Sequence, residues 1–139
     1  MKALTILQPW ATLIAIGEKR FETRSWKTNY RGPLAIHAGK STDYLHLCNE
    51  EPFRTALSKV GLLLPLGAVI ATTTVACCLS TEEVFARAVS EEIPYQEIDF
   101  GCYGFSRCAL GLCNTKELPK PIPARGQQGL WNWEGEVDV

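Results

Sequence analysis

The run from Gly67 to Leu79 is thirteen residues long, carries no charge, and is dominated by Val, Ile and Thr. Branched side chains lose rotamer freedom in a helix and pack well on a pleated surface, so this run predicts a long strand. It lies inside a longer uncharged stretch, Val60 to Ser80, that at first sight suggests a membrane span. Pro65 and Gly67 divide that stretch and Thr72, Thr73, Thr74 and Ser80 follow, so it reads as a loop feeding a buried strand.

Shorter elements surround it. Ala3–Leu7 is β-prone, Pro9 suits a helix first turn, and Trp10, Leu13 and Ile14 follow at helical spacing up to a closing Gly17. Lys19–Ser25 alternates, with Lys19, Phe21 and Thr23 on one parity and Arg20, Glu22 and Arg24 on the other. Leu34–Ala38 is a strand. Ser41-Thr42-Asp43 opens an irregular helix that runs to about Lys59 with a break at Pro52. Ser80 or Thr81 caps a helix at Val84–Val89, and Glu91–Cys102 reads as an acidic loop. Phe105–Leu112 is a strand, Pro119, Pro121 and Pro123 make an extended connector, and Leu130, Trp131 and Trp133 form a terminal segment after a turn at Gly126–Gly129. Short strands without β-α-β alternation predict an α+β fold: a small barrel of five to six mostly antiparallel strands with short flanking helices. The 139 residues form one domain, with no repeat and no internal boundary.

Composition is globular, at 46% hydrophobic and 21% charged. The N-terminus has one Lys followed by apolar residues, but Pro9 and Trp10 interrupt the apolar run and no small-x-small cleavage site follows, so the chain reads as cytoplasmic with no membrane partner. Cys48, Cys77, Cys78, Cys102, Cys108 and Cys113 form no Cys-x-x-Cys, and only two His accompany them. Reduced core thiols are expected, with no metal and no cofactor.

A net charge of −1 hides an asymmetry: Glu18–Lys40 is locally +4, Glu82–Asp99 is −5, and the last six residues add −3. A pI near 6.1 excludes a protein that coats nucleic acid nonspecifically, which needs many phosphate contacts. It allows a compact basic site for one strand or one nucleotide, or else a solvated loop with interspersed salt bridges.

The basic run begins with Gly17-Glu18-Lys19-Arg20-Phe21-Glu22-Thr23-Arg24, which reads G-x-K-x-x-E-x-R. Gln8-Pro9-Trp10 precedes it. Tyr30-Arg31-Gly32-Pro33 leading to Ile36-His37-Ala38, and Gly126-Gln127-Gln128-Gly129-Leu130-Trp131, follow in order. These four segments together resemble the ASCH domain family, and the likeness covers essentially the whole chain. The resemblance implies a PUA-like β-barrel with a cleft that binds RNA or a modified nucleotide, and hydrolysis in some members.

The residues themselves are compatible with such a cleft. Gly17 permits positive φ and close backbone approach, and Lys19 is a mobile point charge suited to phosphate. Glu22 and Arg24 share a strand face, so the carboxylate can aim the guanidinium fork at a phosphate or base edge, or the two can form a purely structural bridge. Trp10 beside Gln8 is a stacking platform or a core aromatic, and Trp26 a second platform or a loop anchor. His37, on the parity opposite Ile36 and Ala38, is a hydrogen-bonded structural group first and a ligand contact or general base second.

Two functions follow. One is a module that binds RNA or a modified nucleotide through Gln8, Trp10, Gly17, Lys19, Arg24, Trp26 and His37. The other is a hydrolase with Lys19 and Glu22 as its catalytic groups, acting on acylated cytidines or cleaving RNA. In the amidohydrolase branch that the chain resembles, a Thr nucleophile stands where this sequence has Glu22, and Thr23 lies on the other parity.

Overall fold

The computed structural model describes residues 1–61, 63–104 and 106–137. The elements are β1 (Lys2–Ile6), α1 (Trp10–Ala15), β2 (Phe21–Arg24), β3 (Gly32–Ala38), a 3-10 turn (Leu45–Asn49), α2 (Phe53–Ala56), β4 (Ala68–Ser80), α3 (Thr81–Val89), α4 (Gln96–Phe100), β5 (Cys108–Pro123) and β6 (Leu130–Asn132). The strands form one curled half-barrel in the order β2-β5-β4-β3-β1-β6. Every neighbouring pair is antiparallel except β1 with β3, which are joined through α1 and β2. The α+β, mostly antiparallel architecture expected from the sequence is the one observed.

The Val/Ile/Thr run becomes β4, the central strand between β3 and β5. Its inward side chains Ile70, Ala71 and Val75 join Leu4, Ile6, Leu34, Ile36 and Leu110 beneath α1. The opposite face carries a second, smaller core of Ala3, Ala35, Val69, Trp131 and Trp133. The two tryptophans share strand parity and both are buried, as expected for core packing.

Several boundaries differ from the sequence reading. The stretch 41–59 holds only a 3-10 turn and the four-residue α2, separated at Pro52; the Ser41 hydroxyl accepts from Asp43 N in a local turn and starts no helix. The acidic loop contains α4, because Phe100 is buried and Ile98 half-buried, which gives a highly charged segment an apolar anchor. The proline connector is strand: β5 runs on to Pro123 beside β4, along a stretch that β2, paired only with Cys108–Gly111, does not cover. Missing proline donors there cost no ladder bond on the open edge, and they blunt it. The expected strand start at Phe105 lies outside the described residues.

The thiols also differ from expectation. All six are free, but none is fully buried; Cys102 and Cys113 are exposed. Cys77 and Cys78 fall beyond Val75, where the pairing of β4 with β3 ends, so that part of β4 has one neighbour strand fewer to cover it. No helix among the described residues is long and apolar enough to cross a membrane.

Candidate functional site

The turn after α1 delivers the central side chain. Gln8 Oε1 accepts from Thr12 N at 3.0 Å and so binds one unpaired donor at the helix start. At the other end Gly17 takes φ +83°, and Glu18 N and Lys19 N both return to Leu13 O. This left-handed closure folds Lys19 back under the sheet edge.

Lys19 is 2% exposed. Its ammonium donates to Phe21 O and to Glu22 Oε1, the latter at 3.2 Å. The mobile phosphate-seeking lysine of the sequence reading is therefore a fixed, buried cation, because the closure of α1 leaves its stem no path to solvent. Two of its three donors are taken, and one remains for the cavity that it borders. Glu22 Oε2 receives Arg24 Nε at 3.1 Å and Nη2 at 2.9 Å, and that Nη2 also donates to Thr5 O at 2.7 Å. Arg24 Nη1 makes no hydrogen bond among the described residues. One carboxylate thus holds two cations in a row.

These groups form one side of a cleft of about 560 Å³. Trp10, Tyr44, Phe53 and Phe100 supply an aromatic side. Trp10 meets Tyr44 and Phe53 edge-on, at centroid distances of 5.1 and 6.1 Å, and its indole N–H donates to Phe100 O at 2.5 Å. The wall beyond is Asp99–Cys102. It is tied to β2 by Cys102 N donating to Thr23 Oγ1 at 3.2 Å, and held by Arg107 Nε donating to Cys102 O at 3.0 Å. Thr23 borders the cleft despite its parity, because this wall crosses the edge of the short strand β2.

Among the sequence candidates, Trp10, Lys19, Glu22 and Arg24 come together in this cleft, and Gln8, Gly17, Trp26 and His37 do not line it. Gln8 is fully buried and donates to Pro65 O at 2.9 Å, so both ends of its amide serve the fold. Gly17 shapes the turn without touching the cleft, and Trp26 packs on the main core. His37 is 1% exposed. Its Nε2 meets Ala124 O at 2.7 Å; a carbonyl only accepts, so Nε2 carries the proton. Its Nδ1 then accepts from Thr5 Oγ1 at 3.1 Å, and that oxygen accepts from Trp131 Nε1 at 3.1 Å. The structural role of His37 stands, since every polar atom of its ring is used.

Sequence reading missed Tyr44, Phe53, Phe100 and Arg107. The charge expectation also changes: Lys27, Arg31 and Lys40 lie outside the cleft, and its third cation is Arg107, against Glu22 and Asp99. The readable signal for the missed wall was the pair Ile98 and Phe100 inside an acidic segment. Among the described residues no group of three or more His, Cys, Asp or Glu is arranged to hold a metal ion.

Solved structures resemble this fold, two of them from one ASCH protein. ASCH from Zymomonas mobilis superposes with a TM-score of 0.52 at 16% identity, covering 88% of this chain and 72% of that one. A serine-to-alanine mutant of that protein gives a TM-score of 0.52 at 15% identity with the same coverage. At such identity the likeness concerns the fold, a PUA-like half-barrel. No curated protein matches the sequence. The ASCH domain model matches residues 4–126, which include all four sequence segments up to the first residue of the last. With that match over most of its length, the chain belongs to the ASCH domain family.

Proposed function

We propose that the cleft binds single-stranded RNA or one modified nucleotide, with a base against the Trp10 side and a phosphate at Arg24 and Arg107. The observation that carries this reading is one cavity combining four aromatic rings with two guanidinium groups that are held by their neighbours. A volume near 560 Å³ suits a nucleotide-sized ligand. Three cations against two carboxylates favour one or two phosphate contacts over a long backbone track. Single bases are read by stacking on aromatic rings or guanidinium planes, and this cleft offers both.

Hydrolysis at the same place is a second reading, favoured by the buried Lys19 with a donor left for the cavity beside Glu22. There Lys19 would stabilise developing negative charge and Glu22 would move a proton. The test presents a single-stranded RNA library and acylated cytidines to wild type, Trp10→Ala and Glu22→Gln. Binding that Trp10→Ala weakens, without turnover, supports the module. Turnover that falls by roughly 10²–10⁴ in Glu22→Gln while binding persists supports the enzyme. Wild type with affinity for neither ligand removes both readings.

A further inference from the structure

Behind the cleft lies a buried carboxyl that the binding reading does not use. Glu97, in α4, is 2% exposed. Its Oε1 accepts from Arg20 N at 2.6 Å, which ties α4 to the chain between α1 and β2. Its Oε2 is buried without a partner among the described residues, and so is the neighbouring Tyr103 Oη. An unpaired polar atom out of water is costly, and an unpaired charge costs more.

The cations facing this carboxyl favour its ionisation, but burial outweighs them. From the α1–β2 turn come Lys19, whose ammonium is already shared between Glu22 and Phe21 O, and Arg20, whose side chain reaches solvent. From β2, Glu22 faces Tyr103. The contact of α3 with α4 is apolar, through Val84 and Ile98. Asp99, on the same helix, turns toward the cleft.

What α4 carries makes this matter. Two residues beyond Glu97 begin Asp99, Phe100, Gly101 and Cys102, the far wall of the cleft. We propose that Glu97 is a positioning residue that holds this wall in place as a neutral carboxylic acid, and that its ionisation loosens the wall and lowers ligand affinity. The affinity half rests on the binding reading above; the wall half does not. Burial, the largest influence, raises the Glu97 pKa, and the Arg20 N–H bond, the charges of Lys19 and Arg20 and the Phe21 N–H oppose it.

The Trp10 indole N–H, bonded to Phe100 O, reports the position of the wall without any ligand. Its resonance in the ¹⁵N-labelled chain is followed from acid to mildly alkaline pH, in wild type and in Glu97→Gln, which mimics the neutral acid. The expected result is a titration in wild type that is absent in Glu97→Gln. A flat wild-type resonance, or the same titration in Glu97→Gln, overturns the proposal. In parallel, the affinity of wild type for a labelled single-stranded RNA hexamer is expected to fall by about tenfold across the same titration, an ordinary size for coupling between two sites, and that of Glu97→Gln to stay level. Equal pH dependence of affinity in both proteins overturns the affinity half. A wild type that binds no RNA at any pH, with the indole titration intact, sinks the binding reading and the affinity half together and leaves the wall half standing.

Discussion

Glu22 and Arg24 meet through two hydrogen bonds, at 2.9 and 3.1 Å, and the same Arg24 Nη2 continues to Thr5 O at 2.7 Å. Two residues apart on one strand thus reach across to a third on β1. The carboxylate also holds Lys19, so it serves as the common anchor of two cations and fixes where positive charge sits in the cleft. The planar fork sets Nε on the carboxylate while Nη2 bridges to Thr5 O, whereas an ammonium has a single nitrogen for all its donors.

Arg24→Lys keeps the charge and loses the fork. Urea unfolding is expected to show a stability loss of about 1–3 kcal/mol, because the Nε bond to the Glu22 carboxylate is lost. Lys19→Met fills the same buried volume and leaves Glu22 with Arg24 alone. Its expected cost is about 3 kcal/mol, the low end for breaking a buried ion pair, since one cation remains. Stability within error of wild type for both variants would contradict the anchoring role of Glu22.

Arg107→Gln tests phosphate contact away from the sequence motif. Affinity for single-stranded RNA, measured at several salt concentrations, is expected to lose about 0.7 from its logarithmic salt slope, the share of one phosphate. An unchanged slope would mean that Arg107 only braces the wall through Cys102 O.

Glu97 makes fold stability depend on pH. Its folded pKa is raised, so its stabilising contribution is complete below the ordinary glutamate pKa and is lost as pH climbs through the folded value. Wild-type unfolding free energy is therefore expected to decline over that window. Glu97→Gln should lack this decline and be the more stable of the two above it. A steeper loss in Glu97→Gln than in wild type would reverse the sign.

Gly126 has no room for a side chain. An added Cβ would lie 2.7 Å from Thr5 Oγ1 and 2.8 Å from His37 Cε1. Gly126→Ala is expected to cost about 1–3 kcal/mol, the usual range for overpacking, through the Trp131–Thr5–His37 chain of hydrogen bonds. Thermal unfolding measures it, and the cleft, which these residues except Thr5 do not line, should keep its ligand affinity.

Much of this was legible in the residues. The Val/Ile/Thr run marked the central strand, and the two-residue spacing of Glu22 and Arg24 marked a pair. Ser80 was foreseen as a candidate cap, and its hydroxyl accepts from Glu83 N. What stayed hidden depends on contacts between distant segments. Arg107 enters the cleft only because β5 pairs with β2, and Tyr44 and Phe53 only because two short turns pack beside Trp10. Nothing local distinguishes a lysine that reaches solvent from one folded under a helix end, so Lys19 read as mobile. Lys27, Arg31 and Lys40 followed the basic run in sequence but not in space.

The sheet order leaves β2 at one edge, while the ladder from β6 to β1 stops at Leu4, one residue short of Thr5. The Arg24–Thr5 bond therefore spans an open seam with a side chain where a closed barrel would have a backbone ladder. Mechanically that is a clasp: one guanidinium fastens the β2 edge to the end of β1. Breaking it is expected to let the amides near the end of β1 exchange with solvent faster, while the strand ladders themselves stay as they are.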